Sequence, residues 1–395
     1  MPACPAYEAQ PRESLAPRGQ VYNVRALLEG RLEMSEGLAS EIYECLACRG
    51  CETVCPAGVP VGAIMEEARG LITDEKAESA SLRYLKRILL AGVLAHPARL
   101  SWLMAGMRLA ETLGLVRLAS WLSPKIAARA AMMPRLAPSR PLSARYEPDG
   151  PAKKRVALFS GCIASHMFGD VNEATARVLQ RNGYEVVVPP KQVCCGALHL
   201  HNGLPDTARR LARENVEVFE DVDAIVVNAA GCGAALTEYG ELLEGSSAAE
   251  SFASRVVDIS AFLVREGFES PSAPPSAEKI RVAYDAPCHL FHAQKVTTEP
   301  VDLLGRIPGV ELVSHPNPER CCGSAGIYNV THYDMSMDVL ESKMADIAPV
   351  APDVIATGNP GCHIQLSAGV KRSGMTSEVV HPVVLLERAY RASDP

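Results

Sequence analysis

The first regular pattern of apolar and polar positions lies between Leu82 and Met133. In LRYLKRILLAGVLAH, LSWLMAGMRLAETLGL and VRLASWLSPKIAARAAMM, apolar residues return at steps of three and four. That period predicts helices over 76–133, punctuated at His96-Pro97 and Ser123-Pro124. The stretch that follows, PRLAPSRPLSARYEPDGPAKK at 134–154, is rich in proline and reads as a linker.

From Arg155 short β-branched runs alternate with helical ones. VALFSG, EVVVP and AIVVNAAG read as strands, whereas VNEATARVLQRNG and DTARRLARENVEVFED read as helices. This is the rhythm of a parallel α/β sheet. A second linker, ESPSAPPSAEK, ends at Lys279, and RVAYDAP starts the rhythm again. The restart carries an internal repeat of cysteines. Cys162, Cys194-Cys195-Gly196 and Gly231-Cys232 match Cys288, Cys321-Cys322-Gly323 and Gly361-Cys362. The steps are 32 and 38 residues in one copy and 33 and 41 in the other. Each cysteine follows a predicted strand or its loop.

Composition narrows the chemistry. The chain has 395 residues, 48% of them hydrophobic and 22% charged, enough for several domains with cores of their own. No run approaches the roughly eighteen apolar residues of a membrane span, and the N-terminus lacks a signal-peptide pattern. A cytoplasmic location is therefore expected, with peripheral contact at the inner face of a membrane kept open. Thirteen cysteines in a reducing compartment point to metal binding more than to disulfides.

CLACRGCETVCP places Cys45, Cys48, Cys51 and Cys55 before Pro56. This is the bacterial ferredoxin run, in which three thiolates reach one [4Fe-4S] cluster and the fourth ligates a neighbouring one. A lone C-x-x-C would suit a zinc knuckle or a redox dithiol equally well. Cys4-Pro5 reads as the end of a first motif whose other cysteines lie upstream of Met1. In the crossed arrangement Cys4 completes the cluster of Cys45, Cys48 and Cys51, and Cys55 belongs to a second cluster. In the alternative, Cys4 is a stray residue and Cys55 closes a single local cluster.

A ferredoxin-type region followed by two C…CCG…GC repeats resembles the iron–sulfur subunit of glycolate oxidase (glycolate dehydrogenase) over nearly the whole chain. CPAY, PRGQVYNVRALLEG and CLACRGCETVCPAGVPVG carry the likeness at the N-terminus. The departure is the incomplete first motif. The resemblance implies a multidomain α+β chain: a ferredoxin-like helical 4Fe-4S domain (1–75), the basic helical segment (76–133), the linker (134–154), and two cysteine-rich α/β domains with mainly parallel sheets (155–270 and 280–395). It implies an electron-transfer role, from FAD-containing subunits that oxidise glycolate to glyoxylate toward a quinone or other acceptor. Relatives built from the same modules serve lactate or glycerol-3-phosphate dehydrogenases, or form the cysteine-rich subunit of heterodisulfide reductase. In the last, a terminal C-x-x-C supplies a fifth ligand to a non-cubane cluster. Here those positions are Ala235 and Gln365, which puts that cluster type in doubt.

No G-x-G-x-x-G follows a predicted strand, so no flavin or nicotinamide site is expected in this chain. Electron carriers of this kind need a partner that holds one. Strand ends of a parallel sheet converge on one edge, where Cys162, Cys194, Cys195 and Cys232, and likewise Cys288, Cys321, Cys322 and Cys362, can meet. Adjacent cysteines diverge in a regular strand, so Gly196 and Gly323 must turn the chain if both bind one centre. Metal or cluster ligation, thiol redox chemistry, zinc-stabilised scaffolding and plain burial of small thiols all remain open here. His166, His199, His201, His289, His292 and His363 are candidate neighbours of these sets.

Charge adds one asymmetry. Between Ala80 and Arg140 ten Lys/Arg face one acid, Glu111, which leaves that segment near +9 and the rest near −16. With Trp102 and Trp121 this suits a membrane surface, an acidic partner face, or an ordinary solvated one. Nucleic acid is not expected, because the cations are dispersed along amphipathic helices.

Overall fold

The computed structural model describes residues 4–130, 132, 141–272 and 279–393. Within the two linkers read from sequence, 134–140 and 273–278 lie outside the described residues. The sequence runs rich in Val and Ile become strands: β1 (Arg145–Tyr146), β2 (Arg155–Phe159), β3 (Glu185–Val187), β4 (Ala224–Val227), β5 (Val256–Asp258), β6 (Ile280–Asp285), β7 (Val310–Leu312), β8 (Val354–Thr357) and β9 (Glu378–Val380). They form two sheets, ordered β1-β3-β2-β4-β5 and β7-β6-β8-β9. Apart from β1, every pairing is parallel. Setting β1 aside, the two sheets have one topology, with the chain crossing from one side of β2 or β6 to the other. The sequence duplication is thus a duplication of fold. The linker reading needs one amendment: Arg145 and Tyr146 pair antiparallel with Val187 and Val186, covering the edge of β3.

Alternation along the strands decides what each sheet face touches. Val156 and Leu158 of β2 join one large core with Val226, Val282, Tyr284 and Ala356, while Ala157 and Phe159 join another with Ile225 and Val227. The large core unites the sheets through four helices, Gly169–Arg181, Ile259–Glu266, Glu299–Gly305 and Pro382–Ser393. These pair by the symmetry of the repeat: the first packs on the fourth and the second on the third. Helices Pro205–Val218 and Tyr333–Ile347 cover the opposite faces.

The N-terminal helices Pro17–Leu28, Glu36–Tyr43 and Val61–Asp74 have their own core of Val24, Ile42, Met65, Ala68 and Ile72. Ser35 caps the second of them, its Oγ accepting from Leu38 N at 3.2 Å. Arg69 fastens this unit to the first repeat. Its buried guanidinium donates to His201 O at 2.9 Å and also to Cys45 O. The segment predicted as helical forms Ala80–Lys86, a π-helical stretch Arg87–Leu94, then Pro97–Thr112, Leu115–Leu122 and Pro124–Ala130. Its Leu90, Leu94, Leu100 and Met104 bury against Cys194 and Leu211 of the first repeat.

Candidate iron–sulfur centres and the two thiol quartets

Three of the four ferredoxin-type cysteines sit on a loop that the backbone wraps around a pocket. Ala47 and Arg49 adopt left-handed φ values of 50° and 63°, so the chain between Cys45 and Cys51 curls and turns amides inward. Ala47 N donates to Cys45 Sγ at 3.4 Å, and Gly50 N bonds to Cys48. Cys4 caps the helix Pro5–Ala9 and lines the same pocket as Cys45, Cys48 and Cys51, together with Ala6, Leu15 and Leu46. Cys55 is not among the lining residues. It stands half-buried apart from them, and the N–H groups of Val59, Ala57 and Gly58 hold its thiol below the ordinary range.

The donor set fits an iron–sulfur group. Burial, followed by repulsion from Cys321, pushes the Cys48 thiol well up; burial, then Cys45 and Cys4, push Cys51 up to about 12. Four partly buried sulfurs lining one pocket gain little as bare thiolates, and iron would supply the compensating charge. The apolar walls and the amide donors are the features that tune such a group's potential.

The repeats bring their cysteines together as the strand-end argument expected. Cys162 follows β2, Cys194 and Cys195 follow β3, and Cys232 follows β4; the second set takes the matching places after β6, β7 and β8. In each set the thiols touch in sequence. Cys162 Sγ lies 3.3 Å from Cys194 Sγ, Cys194 bonds to Cys195, and Cys195 to Cys232. Cys288, Cys321, Cys322 and Cys362 make the same chain. One member of each adjacent pair is drawn well below the ordinary thiol range by its neighbours' S–H donation: Cys195 by Cys194 and Cys232, Cys321 by Cys288 and Cys322. Donation in turn keeps Cys194, Cys232, Cys288 and Cys322 protonated. Gly196 (φ 88°) and Gly323 (φ 90°) make the turn that aims both cysteines of a pair at one place. At Gly323 a Cβ would stand 2.5 Å from Ser336 O. Among the described residues no three His, Cys, Asp or Glu side chains take up the spacing of a single metal ion.

The quartets are not isolated. Cys48 packs in one apolar cluster with Cys288 and Cys321, so thiols of the N-terminal unit and of the second repeat are neighbours. Asn359 spans the two quartets: its Nδ2 donates to Cys362 Sγ at 3.4 Å and its Oδ1 accepts from Gly231 N at 3.2 Å. Nothing in the sequence singled out Asn359, Arg69 or Glu66, because each acts through contacts far along the chain. Of the histidines, His289 is closest to the chemistry. Its Nδ1 lies 3.5 Å from Cys288 Sγ, its ring 5.4 Å from that of His201, and burial pulls it down to about 4. His201 pairs with Glu66 at 2.9 Å. His199 bonds to Leu90 O at 3.1 Å, His166 to Cys162 O and Ser101 Oγ, and His292 to Thr53. His363 packs tilted against Phe168, the ring centroids 4.7 Å apart.

The first quartet opens outward. Cys162 and Cys194 line a groove of about 360 Å³ whose other wall includes Leu94, Pro97 and Leu100.

Comparison with known proteins bears on these sites. Residues 156–237 and 282–367 match the cysteine-rich domain named CCG, and residues 1–59 match a 4Fe-4S dicluster domain, which implies iron–sulfur clusters. The chain is 38% identical to a probable glycolate oxidase iron-sulfur subunit of Bacillus subtilis and 31% identical to the glycolate oxidase iron-sulfur subunit of Escherichia coli. Each comparison covers 98% of this chain and 91% of the relative. Lactate utilization protein A of Shouchella clausii is 31% identical, over 57% of this chain and 95% of its own length.

Proposed function

Because the chain belongs to the family of glycolate oxidase iron–sulfur subunits, we propose that it carries electrons from an FAD-containing partner that oxidises glycolate to glyoxylate toward a quinone-linked acceptor. Cys4, Cys45, Cys48 and Cys51 would hold a [4Fe-4S] group, which when bound supplies one-electron transfer. Cys55 is left for a second cluster, and each quartet for a further cluster rather than a single metal ion. The protein's part is to place and insulate. Arg69 grips the Cys45 carbonyl, the amides of Ala47 and Gly50 bond to sulfur, and Ala6, Leu15 and Leu46 keep water out. The observation that carries the reading is the packing of Cys48 against the apolar cluster that holds Cys288 and Cys321, since electron carriers must lie close together.

The test is iron and acid-labile sulfide per chain in anaerobically purified protein. Cys4→Ser and Cys48→Ser are each expected to lose about four irons, the content of one cubane, while Cys55→Ser leaves that cubane in place. Equal iron in Cys4→Ser and the parent chain would reject the ligand set. Co-expressed with its flavin subunits, the chain should support dye-linked glycolate oxidation that it lacks alone. The close thiol contacts also favour a second reading, disulfide reduction at a quartet. Loss of turnover in Cys195→Ser or Cys322→Ser with iron unchanged would select it.

A further inference from the structure

Twelve of the twenty large apolar side chains left exposed among the described residues fall between Tyr84 and Trp121, about a tenth of the chain. Eleven ride on Ala80–Lys86, Arg87–Leu94, Pro97–Thr112 and Leu115–Leu122, and Leu113 follows the third of these helices. The inward stripe of these helices, Leu90, Leu94, Leu100 and Met104, already supplies what the first repeat needs. The outward residues are therefore surplus to folding. Both tryptophans of the chain are among them, Trp102 80% and Trp121 82% exposed. Concentrated exposure of this kind marks an interaction surface.

The chemistry favours lipid as the occupant. Across 80–122 six Lys/Arg stand against one acid, Glu111, and although Lys86 is turned inward to Glu78 the balance complements an anionic surface, while the rest of this chain is acidic. Exposed Arg87 and Arg99 stand beside outward Leu, Ile and Trp, the combination that sits at headgroup depth. Among the described residues no single helix is long and apolar enough to cross a membrane. Ala80–Leu94 and Pro97–Thr112 reach that apolarity together but bend by 105° at their junction. We propose that helices 80–122 form a monotopic anchor that seats the chain on an anionic bilayer, with Trp102 and Trp121 among the headgroups. Leu94 and Leu100 on the inner side of the same layer wall the groove beside Cys162 and Cys194, so the anchoring helices lie between that groove and the lipid. This surface is independent of the ligand assignment above, and neither stands or falls with the other.

The whole chain, alone and assembled with its flavin subunits, is floated with vesicles of phosphatidylglycerol and phosphatidylcholine in equal parts, and with phosphatidylcholine alone. It should float with the anionic vesicles, less so at high salt, with tryptophan emission shifted to the blue. Trp102→Ser with Trp121→Ser should weaken partitioning on the order of tenfold, at unchanged iron content and circular dichroism. Arg87→Glu with Arg99→Glu should remove the preference for anionic lipid. Failure to float with either vesicle, or equal flotation of parent and double-tryptophan variant, overturns the proposal. Tryptophans shielded by the flavin subunits but indifferent to vesicles would assign the surface to a protein partner and also overturn it.

Discussion

The two repeats share strand order, cysteine spacing and thiol chain, yet their quartets face different surroundings. All four cysteines of the second are buried, and the set lies against Cys48 of the N-terminal unit. In the first, Cys162 and Cys232 are partly exposed, and Cys162 lines a groove under the basic helices. The loops bearing the adjacent cysteines are also held differently. In the second repeat Lys343, fully buried, pairs with Asp285 at 2.7 Å and donates to Pro318 O at 2.7 Å; Thr357 completes the carboxylate. In the first, neutral groups do this work. Asn215 bonds to Val193 N and Cys194 O, and Tyr239 OH donates to Cys195 O. One scaffold thus presents a sealed quartet toward the N-terminal thiols and a more open one on the other side.

The sharpest way to break the comparison is at these loop clamps. Lys343→Met strands the Asp285 carboxylate in the interior and is expected to cost about 3–5 kcal/mol. Asn215→Ala removes neutral bonds and is expected to cost about 1–3 kcal/mol. Urea denaturation of the whole chain checks the order, and equal losses would mean that the two clamps are equivalent. Next come the turn glycines. Gly323→Ala meets both the left-handed φ and Ser336 O, whereas Gly196→Ala meets the φ and Ala208 at 3.3 Å. The first should destabilise by about 2–4 kcal/mol and the second by about 1–2 kcal/mol, read as a difference in melting temperature.

The last effect, small for each pH unit, concerns the seam between repeats. His381 donates from Nε2 to Asn228 O at 3.0 Å and accepts Val383 N at Nδ1, which fixes it neutral; burial lowers it to about 3. His363, half-buried beside Phe168, is lowered to about 4 by loss of water. A histidine whose folded value is depressed leaves stability whole above its unfolded value near 6.5 and loses it as pH falls toward the folded value. Each should therefore cost up to about 1.4 kcal/mol per pH unit between pH 6.5 and 4. His381→Gln should flatten that slope by about one proton; an unchanged slope would show that the seam does not sense acid.

The residue after each last cysteine shows how the seam became unequal. Gly233 is covered by Gln294, whose amide would collide with any Cβ there, and His363 is covered by Phe168. Phe168 and Gln294 both stand six residues beyond the first cysteine of their own repeat. The equivalence can be counted off the sequence once the contacts are known, but nothing local announces it. Likewise β1 was legible only as linker, because two residues on a sheet edge have no period to read. The strands β2, β4, β6 and β8, the helices at 80–130 and the gathering of eight thiols at strand ends could be read because hydrophobic period and cysteine spacing are local records of geometry.

What the sequence settled alone was therefore the repeat, the element types and the families of thiols, since each is written in spacing along the chain. Tertiary structure decided which thiols are neighbours: Cys4 beside Cys45, Cys48 against Cys321, and Asn359 between the quartets. It also decided which apolar stripe of the basic helices went inward. Those outcomes depend on how separate units dock, and docking is governed by complementary surfaces assembled from distant segments, which no local pattern encodes.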